Sequence, residues 1–137
     1  MTSSHDWSIH CVGAVIFDDA GRLLLVKRAN EPGRGRWSVP GGRVEAGETD
    51  HHAVLREVAE ETGLRVEITG HAGSVVRPAP EGAVFDIADY TCRPTGGTLR
   101  PGDDATDARW CDAATLAALP VVAGLVEALT DWGALPR

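Results

Sequence analysis

The chain has 137 residues, of which 43% are hydrophobic and 24% are charged, and its formal net charge is −7. A chain of this length buries roughly 68–70% of its unfolded surface, and we predict one domain over residues 1–137. The acidic balance excludes tight binding to long nucleic acid, but not binding of a small phosphorylated ligand beside a metal ion. No apolar run approaches the roughly 18 residues of a membrane span, so no membrane partner is expected.

The cysteines indicate the compartment. Cys11, Cys92 and Cys111 are odd in number, widely spaced and without a C-x-x-C pair. Such a set predicts reduced, mostly buried thiols and therefore a cytoplasmic protein. Residues 1–7 are polar apart from Trp7, and we expect them to be frayed.

Two hydrophobic runs near the start of the chain predict a buried β-hairpin. The first covers Ser8 to Phe17 and the second Arg22 to Arg28, with a turn at residues 18–21 between them. A loop rich in proline and glycine follows, from Ala29 to Arg36.

Four basic residues, Lys27, Arg28, Arg34 and Arg36, surround this loop. They could draw substrate phosphates toward a site, with Arg28 and Arg36 as binding candidates, or they could form an ordinary solvated rim. Trp37 follows them and also has two interpretations, since an aromatic residue after such a loop either packs or stacks on a base.

A helix is predicted between Thr49 and Gly63. Thr49 can cap its start, Asp50 suits the positive end of the helix dipole, and Gly63 suits a left-handed C-terminal cap. At about 100° per residue the helix has two faces. The apolar face comprises Val54, Leu55, Val58, Ala59 and Thr62, and the opposite face comprises Arg56, Glu57, Glu60 and Glu61.

The glutamates of this helix form an acidic cluster. Their i, i+3, i+4 spacing brings like charges together, which costs a few tenths of a kcal/mol per pair in an isolated helix. One arginine cannot neutralise three carboxylates, whereas Mg²⁺ binds carboxylates together with water and substrate phosphate. The alternative is a solvated acidic face, which is the usual role of helical glutamates.

The wider pattern decides between these alternatives. Residues 42–64 match G-x5-E-x7-R-E-U-x-E-E-x-G-U, where U is a bulky aliphatic residue, without any departure. This stretch resembles the signature box of the Nudix hydrolases, and fixed spacings over nine positions make the match specific. The matching residues are Gly42, Glu48, Arg56, Glu57, Val58, Glu60, Glu61, Gly63 and Leu64.

The resemblance implies an α/β fold, a Nudix-like α/β/α sandwich with a mixed β-sheet. It implies Mg²⁺-dependent hydrolysis of the diphosphate linkage of a small nucleotide derivative, with Mn²⁺ as a substitute metal. A homodimer is common among relatives. A non-catalytic Nudix-fold sensor is the alternative of another class, but a degenerate sensor would be expected to lose box glutamates, and here all four are present.

The resemblance also assigns roles to residues. Glu57 and Glu61 correspond to the principal metal ligands, and Glu60 is shared between metal binding and water activation. Arg56 would orient the carboxylates, with Glu48 beside them. The backbone carbonyl of Gly41 is a further candidate metal ligand.

Beyond the box, acidic residues are candidates to complete the metal site. A strand is predicted from Ala83 to Cys92, in which Asp86 and Asp89 must face water or the site. The segment Pro94 to Asp104 is rich in turn residues and ends in Asp103 and Asp104, which we expect to supply the downstream ligand, with Asp86 or Asp89 as the fallback. A solvated turn is the alternative. The last strand and two C-terminal helices are predicted within residues 106–132.

The substrate is open between two nucleotide classes. A proline about sixteen residues beyond the box is associated in the family with ADP-ribose hydrolysis, and here that position is Pro80. Arg77 could hold a phosphate or ribose. The alternative is a MutT-type enzyme that cleaves nucleoside triphosphates, including 8-oxo-dGTP. Trp37 or Tyr90 could stack on a base in either case.

Overall fold

The structure, a computed structural model, describes residues 7–102 and 104–137. Seven strands and three α-helices make up this part of the chain. In order they are β1 (Ser8–Ile16), β2 (Leu23–Arg28), β3 (Trp37–Ser38), β4 (Gly41–Arg43), α1 (Asp50–Thr62), β5 (Leu64–Pro78), β6 (Val84–Gly97), β7 (Ala105–Cys111), α2 (Ala113–Ala118) and α3 (Leu125–Asp131). A short 3₁₀ turn, Pro80–Gly82, joins β5 to β6. The prediction of a frayed terminus for residues 1–6 and the prediction for Asp103 fall outside the described residues.

The strands form two sheets. The larger sheet is mixed, with strand order β4-β1-β6-β5, and the smaller is antiparallel, with order β3-β2-β7. In the larger sheet β1 pairs in parallel with β6, and the outer pairs are antiparallel. The predicted α/β class with a mixed β-sheet is confirmed. The second, antiparallel sheet was not predicted.

The predicted β1–β2 hairpin is wrong. The two strands belong to different sheets and share only an isolated bridge between Phe17 and Leu23. Strand β1 pairs instead with β4 and with β6. Strand β6 is more than seventy positions away and runs parallel to β1. Strand β6 also continues to Gly97, so the start of the segment predicted as turn-rich is extended.

The larger sheet is covered on both faces. Successive side chains of β1 point to opposite faces of the sheet. Val12, Ala14 and Ile16 therefore join one buried cluster, and Val15 joins another. The first cluster contains α1 through Ala53, Val54 and Val58. The second contains α2, α3 and the smaller sheet through Leu116, Leu125, Leu129, Leu23 and Leu25. Helix α1 and the C-terminal helix α3 therefore pack on opposite faces of the larger sheet, as the resemblance implied.

Two further sequence predictions concern burial and membranes. Cys11, Cys92 and Cys111 are buried free thiols, as predicted. In residues 7–102 and 104–137 there is no helix with the length and hydropathy needed to cross a bilayer.

Candidate active site

Helix α1 begins and ends where its capping residues predict. The Thr49 side chain accepts a hydrogen bond from the His52 backbone N–H at 3.1 Å. Gly63 adopts the left-handed conformation, with φ of 76°, and its N–H donates to the Ala59 carbonyl. These caps fix where the helix begins and ends.

The two faces of α1 differ from the prediction. Leu55 and Ala59 are exposed, whereas Glu61, expected on the acidic outer face, is only 8% exposed. Helix α1 packs on the larger sheet through Val54 and Val58, so the Glu61 carboxylate points inward, beside the start of β4. There its Oε2 accepts a hydrogen bond from the Gly41 N–H at 2.7 Å.

Arg56 organises the other carboxylates. Its guanidinium binds Glu48 at two points, with Nε to Oε2 at 2.6 Å and Nη2 to Oε1 at 2.8 Å. Nη1 donates to Glu57 at 2.9 Å and to Glu60 at 3.3 Å. Nη2 also donates to the Arg43 carbonyl at 3.0 Å. One arginine therefore links β4, the following loop and α1, as the predicted orienting role requires.

Glu48 and Arg56 form a stable ion pair. Hydrogen bonds from Arg56, and then from the Glu45 backbone N–H, lower the pKa of Glu48 to about 2. Glu48 is therefore ionised at neutral pH and fully occupied by its partners. Its position supports an orienting role rather than direct contact with a metal ion.

Glu57 and Glu61 are in the opposite electrostatic situation. Burial is the main cause that raises the pKa of Glu61 to about 8, with the Gly41 hydrogen bond opposing it and Glu57 adding to it. Burial also raises the pKa of Glu57, against the effect of Arg56. The Glu57 carboxyl lies against Gly42, where any side chain would collide with it, so the box glycine makes room for this glutamate.

Glu60 differs from its two neighbours because its side chain is 58% exposed. With Glu61 it lines a cavity of about 550 Å³ at the end of α1, together with Ala59, Arg100, Pro101, Gly102 and Asp104. Asp104 is exposed, and its charge contributes to the raised pKa of both Glu57 and Glu61. The structure therefore brings Asp104 close to the cluster, and Asp103 lies outside the described residues.

The segment that carries Asp104 is tied to the helix by its backbone. The Arg100 N–H donates to the Thr62 carbonyl and the Gly102 N–H donates to the Glu61 carbonyl, both at 2.8 Å. These bonds satisfy carbonyl groups at the C-terminal end of α1 that would otherwise lack partners. A Cβ atom at Gly102 would overlap the Glu60 carbonyl oxygen, so the approach of loop and helix requires glycine here.

The predicted substrate-binding residues lie in three different places. Arg28 lies near the cluster, since its charge lowers the pKa of Glu61, and its Nε donates to the Pro32 carbonyl. Arg36 is exposed and donates to the Val121 carbonyl at 3.4 Å. Arg77, near the end of β5, donates to the Gly124 carbonyl at 3.3 Å.

The aromatic candidates need correction. Trp37 is 5% exposed, belongs to the second core cluster and is covered by the Arg109 guanidinium at 5.3 Å. Its ring therefore packs and has no free face for a base. The Tyr90 hydroxyl donates to Asp50 at 2.8 Å. The Tyr90 ring lies edge-on to the His51 imidazole, with 5.2 Å between the ring centroids. The hydroxyl of Tyr90 thus has its partner at the start of α1.

Asp89 is only 4% exposed, although the sequence predicted that it faces water or the metal site. Its role as the fallback metal ligand stays a prediction. Its neighbours are glycines on adjacent strands, a relation that becomes visible only once the strand register is known.

The donor set fits Mg²⁺, although in the described part of the chain no three His, Cys, Asp or Glu side chains are grouped closely enough to enclose an ion. Mg²⁺ needs only one or two carboxylates, because water and substrate phosphates fill its other positions. Glu57 and Glu61 are such a pair, and burial raises the pKa of both, so a cation beside them would offset the cost of burying their charge.

Comparison with known proteins agrees with this site. The NUDIX domain model matches residues 9–132. The chain is 40% identical over 99 residues to an ADP-ribose pyrophosphatase of Methanocaldococcus jannaschii, covering 71% of this chain and 58% of that protein. It is 35% identical over 96 residues to an 8-oxo-dGDP phosphatase of Mus musculus, covering 70% of this chain and 28% of that protein.

A solved structure is similar over almost its full length. The crystal structure of a MutT NUDIX hydrolase from Burkholderia pseudomallei superposes with a TM-score of 0.80 at 29% identity, covering 90% of this chain and 96% of that one. The two curated relatives are longer, so the match to each covers less than two thirds of its length.

Proposed function

The chain belongs to the Nudix hydrolase family, and we propose that it is a Mg²⁺-dependent pyrophosphohydrolase of a small nucleotide derivative. The observation that carries this proposal is the pair of Glu57 and Glu61. Burial raises the pKa of both, and Glu61 lines the open cavity at the end of α1. Carboxylates in such an environment are candidates for binding a divalent cation.

The residues would divide the work as follows. Glu57 and Glu61 would hold Mg²⁺, with the Gly41 carbonyl and Asp104 as further ligands. Bound there, the metal supplies charge for the phosphate oxygens and lowers the pKa of a bound water. The exposed Glu60 can accept a proton from the attacking water, and Mn²⁺ would suit the same oxygen ligands.

Positioning would come from the ionised pair of Arg56 and Glu48. This pair holds Glu57 from one side, while the Gly41 N–H holds Glu61 from the other. Arg28, whose charge reaches Glu61, would bind a substrate phosphate. Arg36 is an additional, exposed candidate at the rim.

The favoured substrate class is ADP-ribose or a related nucleoside diphosphate sugar. The relative from Methanocaldococcus jannaschii is named an ADP-ribose pyrophosphatase. Pro80 stands at the family position associated with this substrate and begins the turn between β5 and β6. Arg77 lies at the end of β5 that leads to this turn and could hold a ribose or phosphate.

A second candidate is MutT-type cleavage of nucleoside triphosphates, including 8-oxo-dGTP. It is favoured by the similar structure of the MutT NUDIX hydrolase from Burkholderia pseudomallei, while the Mus musculus relative is named for an oxidised guanine nucleoside diphosphate. A non-catalytic nucleotide sensor is the candidate of another class, and the intact set of box glutamates disfavours it.

The deciding experiment measures kcat/KM for ADP-ribose, dGTP and 8-oxo-dGTP under identical Mg²⁺. We expect ADP-ribose to be preferred. If either triphosphate is preferred by more than tenfold, about 1.4 kcal/mol of transition-state discrimination, the MutT-type function replaces the ADP-ribose function. Binding of the nucleotides without any hydrolysis would identify a sensor.

We further propose a cytoplasmic location and a homodimer. The three buried free thiols suit a reducing compartment. The dimer rests on the resemblance to the family, and light scattering of the purified chain measures it directly.

A further inference from the structure

One row of residues crosses the larger sheet almost without side chains. Gly41, Gly13, Asp89 and Gly73 are successive Cα partners on β4, β1, β6 and β5. Asp89 is therefore the only residue of the row with a side chain. Because neighbouring strands lie about 4.8 Å apart, its Cα is about 10 Å from Gly41, whose N–H holds Glu61.

The Asp89 carboxylate occupies space that Gly13 leaves free. A Cβ atom at Gly13 would overlap Asp89 Oδ1 and would lie 3.4 Å from Val39 Cγ2. The carboxylate therefore lies above β1, the strand between β6 and Gly41.

Two other glycines make room for polar groups on nearby elements. At Gly73 a Cβ atom would collide with the indole nitrogen of Trp132, and at Gly124 it would collide with the Arg77 guanidinium. Arg77 is close enough for its charge to act on Asp89. A carboxylate, a guanidinium and an indole N–H thus replace side chains that would otherwise fill this region.

Asp89 has no hydrogen-bond donor of its own among the described residues, and only the charge of Arg77 opposes the effect of burial, which raises its pKa to about 7. A buried carboxylate without a donor is costly. In the described part of the chain, Ser38 Oγ is the only fully enclosed side-chain polar atom that lacks a partner. The Asp89 oxygens are therefore not fully enclosed, although the residue as a whole is only 4% exposed.

The chemistry of the missing partner is restricted by charge. A carboxylate repels phosphate, so the diphosphate of a nucleotide belongs beside the metal and not beside Asp89. The nucleoside extends from the α-phosphate, and a group two strands away from Gly41 is placed for that part. Two adjacent donors satisfy both oxygens of a carboxylate.

We propose that Asp89 determines substrate specificity by accepting hydrogen bonds from two adjacent donors on the nucleoside part of the substrate. The two sources of such donors are a ribose diol and the N1–H and 2-amino groups of guanine. This inference rests on the proposed nucleotide hydrolysis and deepens it, because it names the group that the chain reads outside the Nudix box.

The test uses two pairs of compounds that differ in one donor each. ADP-ribose is compared with its 2′-deoxyadenosine counterpart, and dGTP is compared with dITP, which lacks the 2-amino group. For each pair the ratio of kcat/KM is measured, together with the ratio of Kd by calorimetry with Mg²⁺. Asp89→Asn is expected to reduce the wild-type preference at least tenfold in the pair whose donor Asp89 binds.

Two further variants separate recognition from folding. Gly13→Ala keeps the carboxylate but displaces it, so it should reduce the same ratio as Asp89→Asn. Asp131→Asn makes the same chemical change at an exposed residue of α3 that has no proposed role in the site, and should leave both ratios unchanged. Thermal unfolding is recorded for all variants.

The outcomes are distinct. Loss of the ADP-ribose ratio identifies the diol, and loss of the dGTP ratio identifies guanine. If Asp89→Asn and Gly13→Ala lower the unfolding temperature but leave both ratios intact, Asp89 is structural and the inference is wrong. Wild-type binding with the expected ratios but without hydrolysis refutes the proposed function alone. A wild-type chain that neither binds nor hydrolyses these compounds overturns both.

Discussion

Glu48 and Glu61 are glutamates of the same sequence box, yet the fold places them in opposite electrostatic environments. Glu48 meets the Arg56 guanidinium at two points, and its pKa falls to about 2. Glu61 is buried with one backbone N–H as its donor, and its pKa rises to about 8. The first carboxylate has the partners it needs within the chain. The second has only this N–H to offset its burial, and this difference is the basis for proposing a positioning role for Glu48 and a metal-binding role for Glu61.

The largest expected effect is the loss of activity when the second kind of carboxylate is changed. Glu57→Gln or Glu61→Gln should lower kcat at least about 100-fold, because each removes charge that holds the metal. Steady-state kinetics at saturating Mg²⁺ measure this, and circular dichroism checks that the variants fold. Full activity in either variant would contradict the assignment.

A smaller loss of activity is expected from the first kind. Glu48→Gln leaves Arg56 without its two-point partner, so the orientation of Glu57 is disturbed and activity should fall about 10–100-fold. The unfolding temperature should also fall. Glu45→Gln is a suitable control, because its contact with Arg56 is longer, at 3.4 Å, and its side chain is more exposed. Equal effects of the two substitutions would show that the ion pair with Glu48 has no special role.

The two environments also predict opposite responses to pH in metal-free protein. Since the folded-state pKa of Glu61 is raised from 4.5 to about 8, the folded state binds more protons, and this group lowers stability as pH rises through that window. Glu48 acts in the other direction. Its stabilisation is present above pH 4.5 and is lost as pH falls toward about 2.

Urea unfolding at several pH values, without metal, measures both effects. Glu61→Gln should flatten the decline between pH 5 and 8, and saturating Mg²⁺ should do the same in the wild-type chain, since bound metal keeps the carboxylate ionised. If the metal-free wild-type chain became more stable across this range, and the Glu61→Gln variant had the same pH dependence of stability, Glu61 would not be the group responsible.

The smallest effect is expected at Asp104, an exposed residue that lines the cavity. Asp104→Asn should weaken Mg²⁺ binding several-fold and leave kcat at saturating metal close to wild type, because solvent screens a charge at this position. Magnesium titrations of activity test this. A loss as large as that of Glu61→Gln would instead make Asp104 a principal ligand.

Local features of the fold could be predicted from the sequence, and long-range features could not. Thr49 and Gly63 bound α1 as predicted, because capping depends on residues only a few positions apart. The pairing of β1 with β6 depends on strands far apart in sequence, and no local pattern distinguishes it from a hairpin.

The site follows the same division. The box spacing predicted the acidic cluster, but which glutamate turns inward depends on the sheet against which α1 packs. Glu61 was therefore placed on the wrong face, although its proposed role as a ligand is unaffected. Asp89 became recognisable only from its glycine neighbours on two other strands, which no spacing within β6 could reveal.

The backbone bonds from Arg100 and Gly102 to the end of α1 have a consequence for how this protein could diversify. Surface segments rich in glycine and proline usually tolerate insertions well. Here an added residue between Arg100 and Gly102 would disturb the two bonds that hold the loop to the helix carrying the proposed metal-binding glutamates. New substrate preferences should therefore arise by lengthening the exposed turn at Pro80–Gly82, while the length of the loop before β7 stays constant.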